Sequence, residues 1–231
     1  MIKTYEGIVI RQTKIMGGRR MILVFTREEG KISAGTHISE KSKGGAALAI
    51  RPFAYGHYTM AEKSGGTRSV SAAETLDAHF ALGENVDRYE EASFALEFTD
   101  KVLPEDAAAP AIFDLLKSYL DMLSCRKVDF RLLTISYLVK VMQELGVFPD
   151  MAQTGGAPTP ESGGLLLSGV NGDILDTIVF IAEQPLERMD ALTLESEKER
   201  AVFGVIKAFA HEYLELGTIK SERILSEESA K

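Results

Sequence analysis

The sequence predicts an α+β protein in which a small, closed, five-stranded β-barrel is followed by an all-α domain. In the first 78 residues, short runs of β-branched and aliphatic residues are separated by glycine-containing turns, whereas later apolar residues recur at helical spacing. The charge balance changes at the same place: residues 1–78 carry 12 Lys and Arg against 7 Asp and Glu, and residues 79–231 carry 14 against 27. We therefore expect two domains, residues 1–78 and 79–231.

Five runs in the first domain have the composition of β-strands. Gly17-Gly18 lies between the first and second runs, Glu29-Gly30 lies between the second and third, and a further turn is expected at 64–66. Five short strands favour closure into a barrel, because closure leaves no strand edge exposed. The predicted strands cover 6–13, 19–26, 31–38, 53–62 and 67–76, and the composition of 43–49 suits a short helix.

The second domain has the spacing of a small helical bundle. Pro110 lies in the first turn of one predicted helix, and Gly146 ends another that is apolar on nearly all sides and is expected to be buried. Residues 147–172, with six glycines and three prolines, are predicted to form a metal-free loop region. Helices are expected over 86–103, 109–123, 129–146 and 196–217.

Composition and cysteine content exclude several classes of protein. No apolar run approaches the roughly 18 residues that span a bilayer, and the start of the chain has no apolar region of the kind found in secretory signals. The single cysteine, Cys125, permits no internal disulfide and no multi-cysteine zinc site within this chain. We therefore expect a cytoplasmic protein with no membrane partner, no metal and no cofactor.

The sequence also lacks the common catalytic motifs. It contains no GxxxxGK[ST], GxGxxG, GxSxG or HExxH, and its four histidines are scattered. Arg126 and Lys127 after Cys125 would favour its thiolate, but no base is identifiable. We expect a protein that is not an enzyme. Two alternatives stay open: a protein-interaction scaffold whose basic barrel is incidental, and a metal-dependent nuclease that uses clustered carboxylates.

The strongest chemical signal is the basic and aromatic stretch KSKGGAALAIRPFAYGHY at 41–58. In an acidic chain of net charge −8 it suits single-stranded nucleic acid, since cations neutralise phosphates and rings stack on unpaired bases. Phe53 and Tyr55 share one face of a strand and Tyr58 lies on the other, so one set must point inward. The candidate DNA contacts are Arg11, Lys14, Arg19, Arg20, Lys31, Lys41, Lys43, Arg51 and Arg68, with Phe53, Tyr55 and Tyr58 as candidate stacking rings.

Several segments resemble a known family in order and spacing. YEGIVIRQTK at 5–14, TREEGKI at 26–32, KSKGGAAL at 41–48 and RPFAYGHY at 51–58 resemble the N-terminal domain of the bacterial RecO recombination mediators. GVFP at 146–149 and GGLLLSG at 163–169 are similar to the C-terminal domain of that family.

The resemblance implies an OB-fold barrel and a helical domain. It further implies binding of single- and double-stranded DNA, annealing of complementary strands, and loading of RecA onto DNA coated by single-strand binding protein. The implied partners are RecR and the acidic C-terminal tail of that binding protein, at the nucleoid.

The chain departs from the resemblance in one respect. Many members carry four cysteines in two pairs after the GVFP-like turn, whereas here the interval DMAQTGGAPTPESGG has none, so no zinc module is expected. The candidate site for the acidic tail is the cationic cluster Arg126, Lys127 and Arg131 beside the apolar helix 130–145. The alternative is that these cations only favour a helix C-terminus.

Overall fold

The computed structural model describes residues 1–15, 19–38, 45–62, 65–125, 128–149, 167 and 169–221. The chain divides into two compact units. One consists of Met1–Glu84 and Leu96–Lys117, and the other of Asn85–Ala95 and Ser118–Lys231. We call the first the barrel unit and the second the helical unit. The boundary predicted after residue 78 separates the strands from the helices along the chain, which is a different criterion from these compact units. It stays a prediction.

The barrel unit contains a closed five-stranded barrel, which confirms the predicted α+β class. The strand order is β1-β2-β3-β5-β4, with antiparallel pairing throughout except between β3 and β5, which are parallel. The elements are β1 (Ile2–Lys14), β2 (Arg20–Thr26), β3 (Gly30–Thr36), the short helix α1 (Ala46–Ala49), β4 (Tyr55–Glu62) and β5 (Arg68–Asp77).

The longest strand, β1, begins earlier than predicted because it pairs with two neighbours. Its first half pairs with β4 and its second half with β2. The register with β2 shifts between Val9 and Arg11, and such a β-bulge changes the phase of the inward and outward alternation. Beyond the bulge, Gln12 lies directly opposite the buried Ile22, so a polar side chain occupies an inward position at the end of the barrel.

Aliphatic and aromatic side chains from the strands fill the barrel, and α1 closes one end. Burying each large side chain contributes about 1.5–3 kcal/mol relative to leaving it in water. Ala49, at the end of α1, and Ile50, which follows it, belong to the same apolar cluster as the strand residues. The cluster comprises Tyr5, Val9, Ile22, Val24, Ile32, Ala34, Ala49, Ile50, Tyr58, Met60 and Val70.

The turn between β2 and β3 requires glycine. Gly30 has φ +76°, in the left-handed region, and a Cβ built on it would lie 2.1 Å from the carbonyl oxygen of Ala107. Both facts exclude a side chain at this position. The turn predicted at Glu29-Gly30 is thus confirmed. Gly65 and Gly66 of the next predicted turn also have positive φ, and the turn at Gly17-Gly18 lies outside the described residues.

The helices coincide with the predicted segments, and one further helix is present. The helix that the sequence marked as buried, α4, has ten buried residues and begins at Asp129, whose side chain accepts from the Leu132 amide at 3.0 Å. The additional helix, α5, begins after Asn171, which caps it in the same way. The helices are α2 (Val86–Val102), α3 (Pro110–Cys125), α4 (Phe130–Glu144), α5 (Gly172–Glu183) and α6 (Ser196–Leu214).

Within the described residues, two short 3₁₀ segments lie at Phe80–Glu84 and Leu186–Ala191. In the helical unit, edge-to-face and tilted ring pairs contribute to the core, as between Phe94 and Phe203 at 5.8 Å. Among the residues that the structure describes, no helix combines the length and the apolar character needed to cross a bilayer.

Candidate nucleic-acid interface

The basic side chains of the barrel unit form two groups, and the first is neutralised by acids of the same unit. Arg27 illustrates the group: its Nε and Nη2 donate to the two carboxylate oxygens of Asp114 at 3.0 and 2.8 Å. The guanidinium, through this hydrogen bond, holds the pKa of Asp114 below its ordinary value. An exposed pair of this kind contributes little to stability, but it occupies the fork that would otherwise bind phosphate.

Lys31 and Arg11, two candidate DNA contacts, both reach Asp100. Lys31 is only 6% exposed, and its ammonium donates to the Asp100 backbone carbonyl and, at 2.9 Å, to Oδ1. Arg11 Nη1 lies 3.3 Å from Asp100 Oδ2. Lys31 must therefore be removed from the candidate DNA contacts because it is buried. Arg11 remains on the surface and shares the single carboxylate of Asp100 with Lys31.

Arg68 is also paired rather than presented to solvent as an unpaired charge. Its guanidinium lies 3.3 Å from Glu29 and 3.3 Å from Asp106, and Lys3 approaches the same Glu29 at 2.7 Å. Lys3, Glu29 and Arg68, together with Tyr5, line a small cleft of about 60 Å³. Both neighbours of the Arg68 guanidinium are carboxylates, and that Arg68 contacts DNA stays a prediction.

Arg20, a further candidate, turns inward at the end of the barrel. It is 9% exposed, and its Nη1 donates to the side-chain carbonyl of Gln12 at 2.8 Å. The amide nitrogen of Gln12 in turn donates to the backbone carbonyl of Ile50 at 2.8 Å. Arg20 therefore contributes a fixed charge beneath the surface. The sequence had suggested an outer contact for DNA at this residue, and its burial argues against that role.

The second group consists of exposed cations, and the candidate DNA contacts that belong to it are Lys14, Arg19 and Arg51. Across the described part of the chain, no acidic side chain forms an ion pair with any of the three. Lys14 lies directly opposite Arg20 in the pairing of β1 with β2, and the carbonyl of Arg19 accepts from the Ile15 amide at 2.9 Å. These contacts bring Lys14, Arg19 and Arg20 together at the tip of one hairpin.

Arg51 belongs to the same end of the barrel. It follows Ile50, whose carbonyl accepts from Gln12, and Gln12 lies two residues before Lys14 on the same face of β1. The backbone of Arg51 is fixed by its own amide, which donates to Leu48 at 3.0 Å. We call Lys14, Arg19, Arg20 and Arg51 the cationic end of the barrel.

Tyr58 is a core residue and not a stacking ring. Its side chain is fully buried at 0% exposure, and its hydroxyl donates to the carbonyls of Ala49 and Ala54, at 2.8 and 3.1 Å. Burial raises the pKa of this phenol. Because no face of the ring reaches solvent, the prediction that Tyr58 stacks on bases is wrong.

The other two candidate rings are also engaged. Phe53 is buried, with φ +72° and its amide bonded to the Val9 carbonyl at 3.0 Å. The Tyr55 hydroxyl donates to Glu6, and the ammonium of Lys117 lies 4.9 Å from the centroid of its ring. Phe53 is thus not available for base stacking, whereas Tyr55 is half-buried with one face of its ring occupied by Lys117, and its stacking on bases stays a prediction.

The remaining candidates divide between positions outside the described residues and one position inside them. Lys41 and Lys43, and the pair Arg126 and Lys127, lie outside the described residues. Arg131 lies within them. Its Nε donates to the buried Glu91, and its guanidinium lies 4.6 Å from the centroid of the Phe203 ring. Arg131 is therefore engaged within the helical unit although part of its side chain is exposed, and its role in binding an acidic tail stays a prediction.

Sequence reasoning missed Gln12, which joins the hairpin to α1, and the acids Asp100 and Asp114, which neutralise barrel cations. The sequence does carry a signal for Gln12, because it is a polar residue in a strand that follows an aliphatic run. A β-bulge before it explains why this polar side chain points inward. No local signal marks the acids, because Arg27 and Asp114 are 87 residues apart.

These features define the class of protein: an oligonucleotide-binding-type barrel with one exposed cationic end, followed by a helical unit. The family model described as Recombination protein O N terminal matches residues 1–79, and Recombination protein O C terminal matches residues 83–223. The chain belongs to the recombination protein O family, which confirms the resemblance found in the sequence.

Individual relatives agree with this assignment. The chain is 30% identical over 149 residues to the DNA repair protein RecO of Bacillus cereus (strain B4264), a match that covers 64% of this chain and 59% of the relative. The proteins of the same description from Bacillus anthracis (strain CDC 684 / NRRL 3495) and Bacillus thuringiensis subsp. konkukian (strain 97-27) are each 29% identical over the same length. The match thus spans less than two thirds of the length of these relatives.

Proposed function

We propose that this chain binds DNA through the cationic end of its barrel and acts, without catalysing a reaction, as a mediator of DNA repair and recombination. One observation carries the proposal: Lys14, Arg19 and Arg51 are exposed at the end of the barrel closed by α1, and no described carboxylate forms an ion pair with them. Lys3, Arg27 and Arg68, in contrast, are paired with acids. The printed name of the relatives, DNA repair protein, supports the same function.

The chemistry of the cationic end favours contact with phosphates over contact with bases. Cations carry no information about sequence, so binding is expected to be nearly independent of base sequence. The three aromatic candidates are buried or engaged, so stacking is not expected to discriminate strongly between single strands and duplexes. A site of this kind suits both forms of DNA.

Annealing follows from charge neutralisation. Two complementary strands repel each other through their phosphates, and a cationic surface that holds one strand lowers that repulsion while the second strand pairs. The acidic balance of residues 79–231 disfavours wrapping of DNA around the rest of the chain. The proposal includes the loading of RecA onto DNA coated by single-strand binding protein, at the nucleoid.

The partners RecR and the acidic tail of single-strand binding protein also belong to the proposal. Because Arg131 is bonded to Glu91, the tail site is tested at Arg126 and Lys127. Titration of a tail peptide against Arg126→Ala/Lys127→Ala tests this: weaker binding with an unchanged melting temperature is expected. Equal affinity would remove both residues from the tail site.

The salt dependence of DNA binding tests the proposed function. Labelled oligo(dT) is titrated with the full chain at several salt concentrations, and log affinity is plotted against log salt. Lys14→Ala/Arg51→Ala removes two phosphate contacts, so the slope should fall by about 1.4 for a single strand. The matched control is Lys3→Ala/Arg27→Ala, which removes the same formal charge from two cations that pair with Glu29 and Asp114.

The control variant should keep a slope close to that of the unmodified chain. An unmodified chain whose affinity does not depend on salt would contradict the proposed function, and equal slopes for both variants would contradict its location. The DNA should stay full-length after incubation with magnesium. Its degradation would instead favour the nuclease alternative.

A further inference from the structure

We propose that Gln12 is the positioning residue of the cationic end. Its side chain joins Arg20, on the β1–β2 hairpin, to the carbonyl of Ile50, which precedes Arg51. It thereby holds the two chain segments that supply the exposed cations in one arrangement. The inference rests on the proposed function of the cationic end and names a residue that contacts no phosphate itself.

Only one orientation of the Gln12 amide satisfies both of its neighbours. A guanidinium only donates hydrogen bonds and a backbone carbonyl only accepts them, so Oε1 must face Arg20 and Nε2 must face Ile50. Both distances are 2.8 Å. Arg20 is nearly buried. If its hydrogen bond to Gln12 is lost, water does not fully replace it.

No other side chain of this length reproduces the bridge. A glutamate would accept from Arg20 but would turn a charged oxygen towards the Ile50 carbonyl. A methionine has nearly the same length and volume and makes neither hydrogen bond. Glutamine at position 12 is therefore required by the two partners it joins, and not merely tolerated at the end of a strand.

Packing of Ala49 and Ile50 in the barrel core, and the backbone hydrogen bonds of Val9 to the segment after Arg51, hold α1 near β1, and the Gln12 bridge adds the side-chain link to Arg20 of β2. The helix α1 has four residues, and no side chain caps its N-terminus. Thr75 fixes its start by donating to the Gly45 carbonyl at 2.8 Å, and Tyr58 fixes its end at Ala49. Both of those side chains come from β4 and β5. Among the hydrogen bonds described for α1 and Ile50, the Gln12 bridge is the one that reaches β1 and β2.

The test is a comparison of Gln12→Met with a matched control, Gln143→Met. Gln143 makes the same type of bridge in the helical unit: it accepts from Lys140 at 3.1 Å and donates to the Ala182 carbonyl at 3.2 Å. Binding of labelled oligo(dT) to each full-length variant is measured at one low salt concentration, well below its melting temperature. Gln12→Met should bind about fivefold more weakly, the scale of one net hydrogen bond, and Gln143→Met should bind like the unmodified chain.

A double-mutant cycle with Arg51→Ala separates positioning from a general loss of structure. If Gln12 acts by placing Arg51, its substitution should cost clearly less in the Arg51→Ala background than in the unmodified chain. Fully additive losses, or an affinity of Gln12→Met equal to that of the unmodified chain, would overturn the inference. In that case, a normal salt slope for the unmodified chain would still support the proposed function. An unmodified chain that does not bind oligo(dT) would contradict the proposed function and the role of Gln12 together.

Discussion

Replacing Tyr58 with phenylalanine removes one buried hydroxyl and keeps the ring that fills the barrel. The hydroxyl donates to the carbonyls of Ala49 and Ala54. Ala54 keeps a second donor, the Val9 amide at 3.0 Å. Ala49 has no such substitute in the next turn of chain, because Pro52 has no amide hydrogen and the Phe53 amide donates to Val9.

The size of the effect follows from this single orphaned acceptor. Leaving a buried carbonyl without its donor lowers the free energy of unfolding by about 1–3 kcal/mol. Because Tyr58→Phe keeps the ring and opens no cavity, we expect a loss in the lower part of this range, about 1–2 kcal/mol. For a unit of roughly 100 residues this lowers the melting temperature by about 4–16 °C. Tyr55→Phe is the matched control: its hydroxyl bonds to Glu6 on a half-buried surface, so a smaller change is expected.

Calorimetry gives the melting temperature, and oligo(dT) titration well below it gives the affinity. Tyr58→Phe should lower the melting temperature and leave the affinity nearly unchanged, because the ring stays inside the barrel and the Gln12 bridge still holds Ile50 beside Arg51. A variant with an unchanged melting temperature and weakened binding to single strands would refute this reasoning. It would mean that the hydroxyl serves DNA and not the carbonyl of Ala49.

Three further predictions concern charge and metal. Burial, with a hydrogen bond to Asp129, raises the pKa of Glu199 to about 7. Because the pKa of Glu199 is higher in the folded than in the unfolded state, its contribution to stability is present at low pH and is lost as pH rises from about 4.5 to about 7. The difference in melting temperature between about pH 5 and about pH 8 should therefore shrink in Glu199→Gln, and an identical difference would contradict the assignment. Asp100→Ala leaves the buried Lys31 without its carboxylate and should cost about 3–5 kcal/mol in urea unfolding. Lys31→Met/Asp100→Ala should recover part of that loss, and a double variant no more stable than Asp100→Ala would argue against a buried unpaired charge as the cause. With a single cysteine, purified protein should hold no stoichiometric zinc, and elemental analysis that finds about one zinc per chain would contradict this.

The strands of the barrel were predictable because their signals are local. The run 19–26 was predicted as a strand and β2 is Arg20–Thr26, since aliphatic residues and the following turn lie within ten positions of one another. Gly30 is also a local signal, because the turn needs a positive φ at this residue and glycine adopts it readily. The helix α5 was missed because its start adjoins the glycine-rich segment that was interpreted as a loop.

The phase of the aromatic strand was not predictable from alternation alone. Alternation separates Tyr58 from Phe53 and Tyr55, but it does not say which set points inward. Pairing decides this: Tyr58 lies opposite Tyr5 of β1, and both belong to the core cluster. Phe53 is buried as well, because it precedes β4 and follows the turn after α1, where strand alternation does not apply.

The cations were found by composition, but their availability depends on distant residues. Lys31 and Asp100 are 69 positions apart, and their pairing comes from the way Leu96–Lys117 belongs to the same compact unit as the barrel. Sequence analysis therefore named nine basic residues of the barrel domain as equals. The fold separates the seven that the structure describes into paired, buried and exposed residues, and the exposed ones are those proposed to contact phosphates.

The central claim is that DNA lies against the cationic end of the barrel. Lysine acetylation of the full chain, read by mass spectrometry with and without saturating oligo(dT), tests it most directly. Lys14 should become strongly protected, whereas Lys3, which pairs with Glu29, and Lys101, an exposed lysine of α2, should be labelled equally in both states. Protection of Lys3 or Lys101 with unchanged labelling of Lys14, under conditions where the DNA is fully bound, would contradict the account.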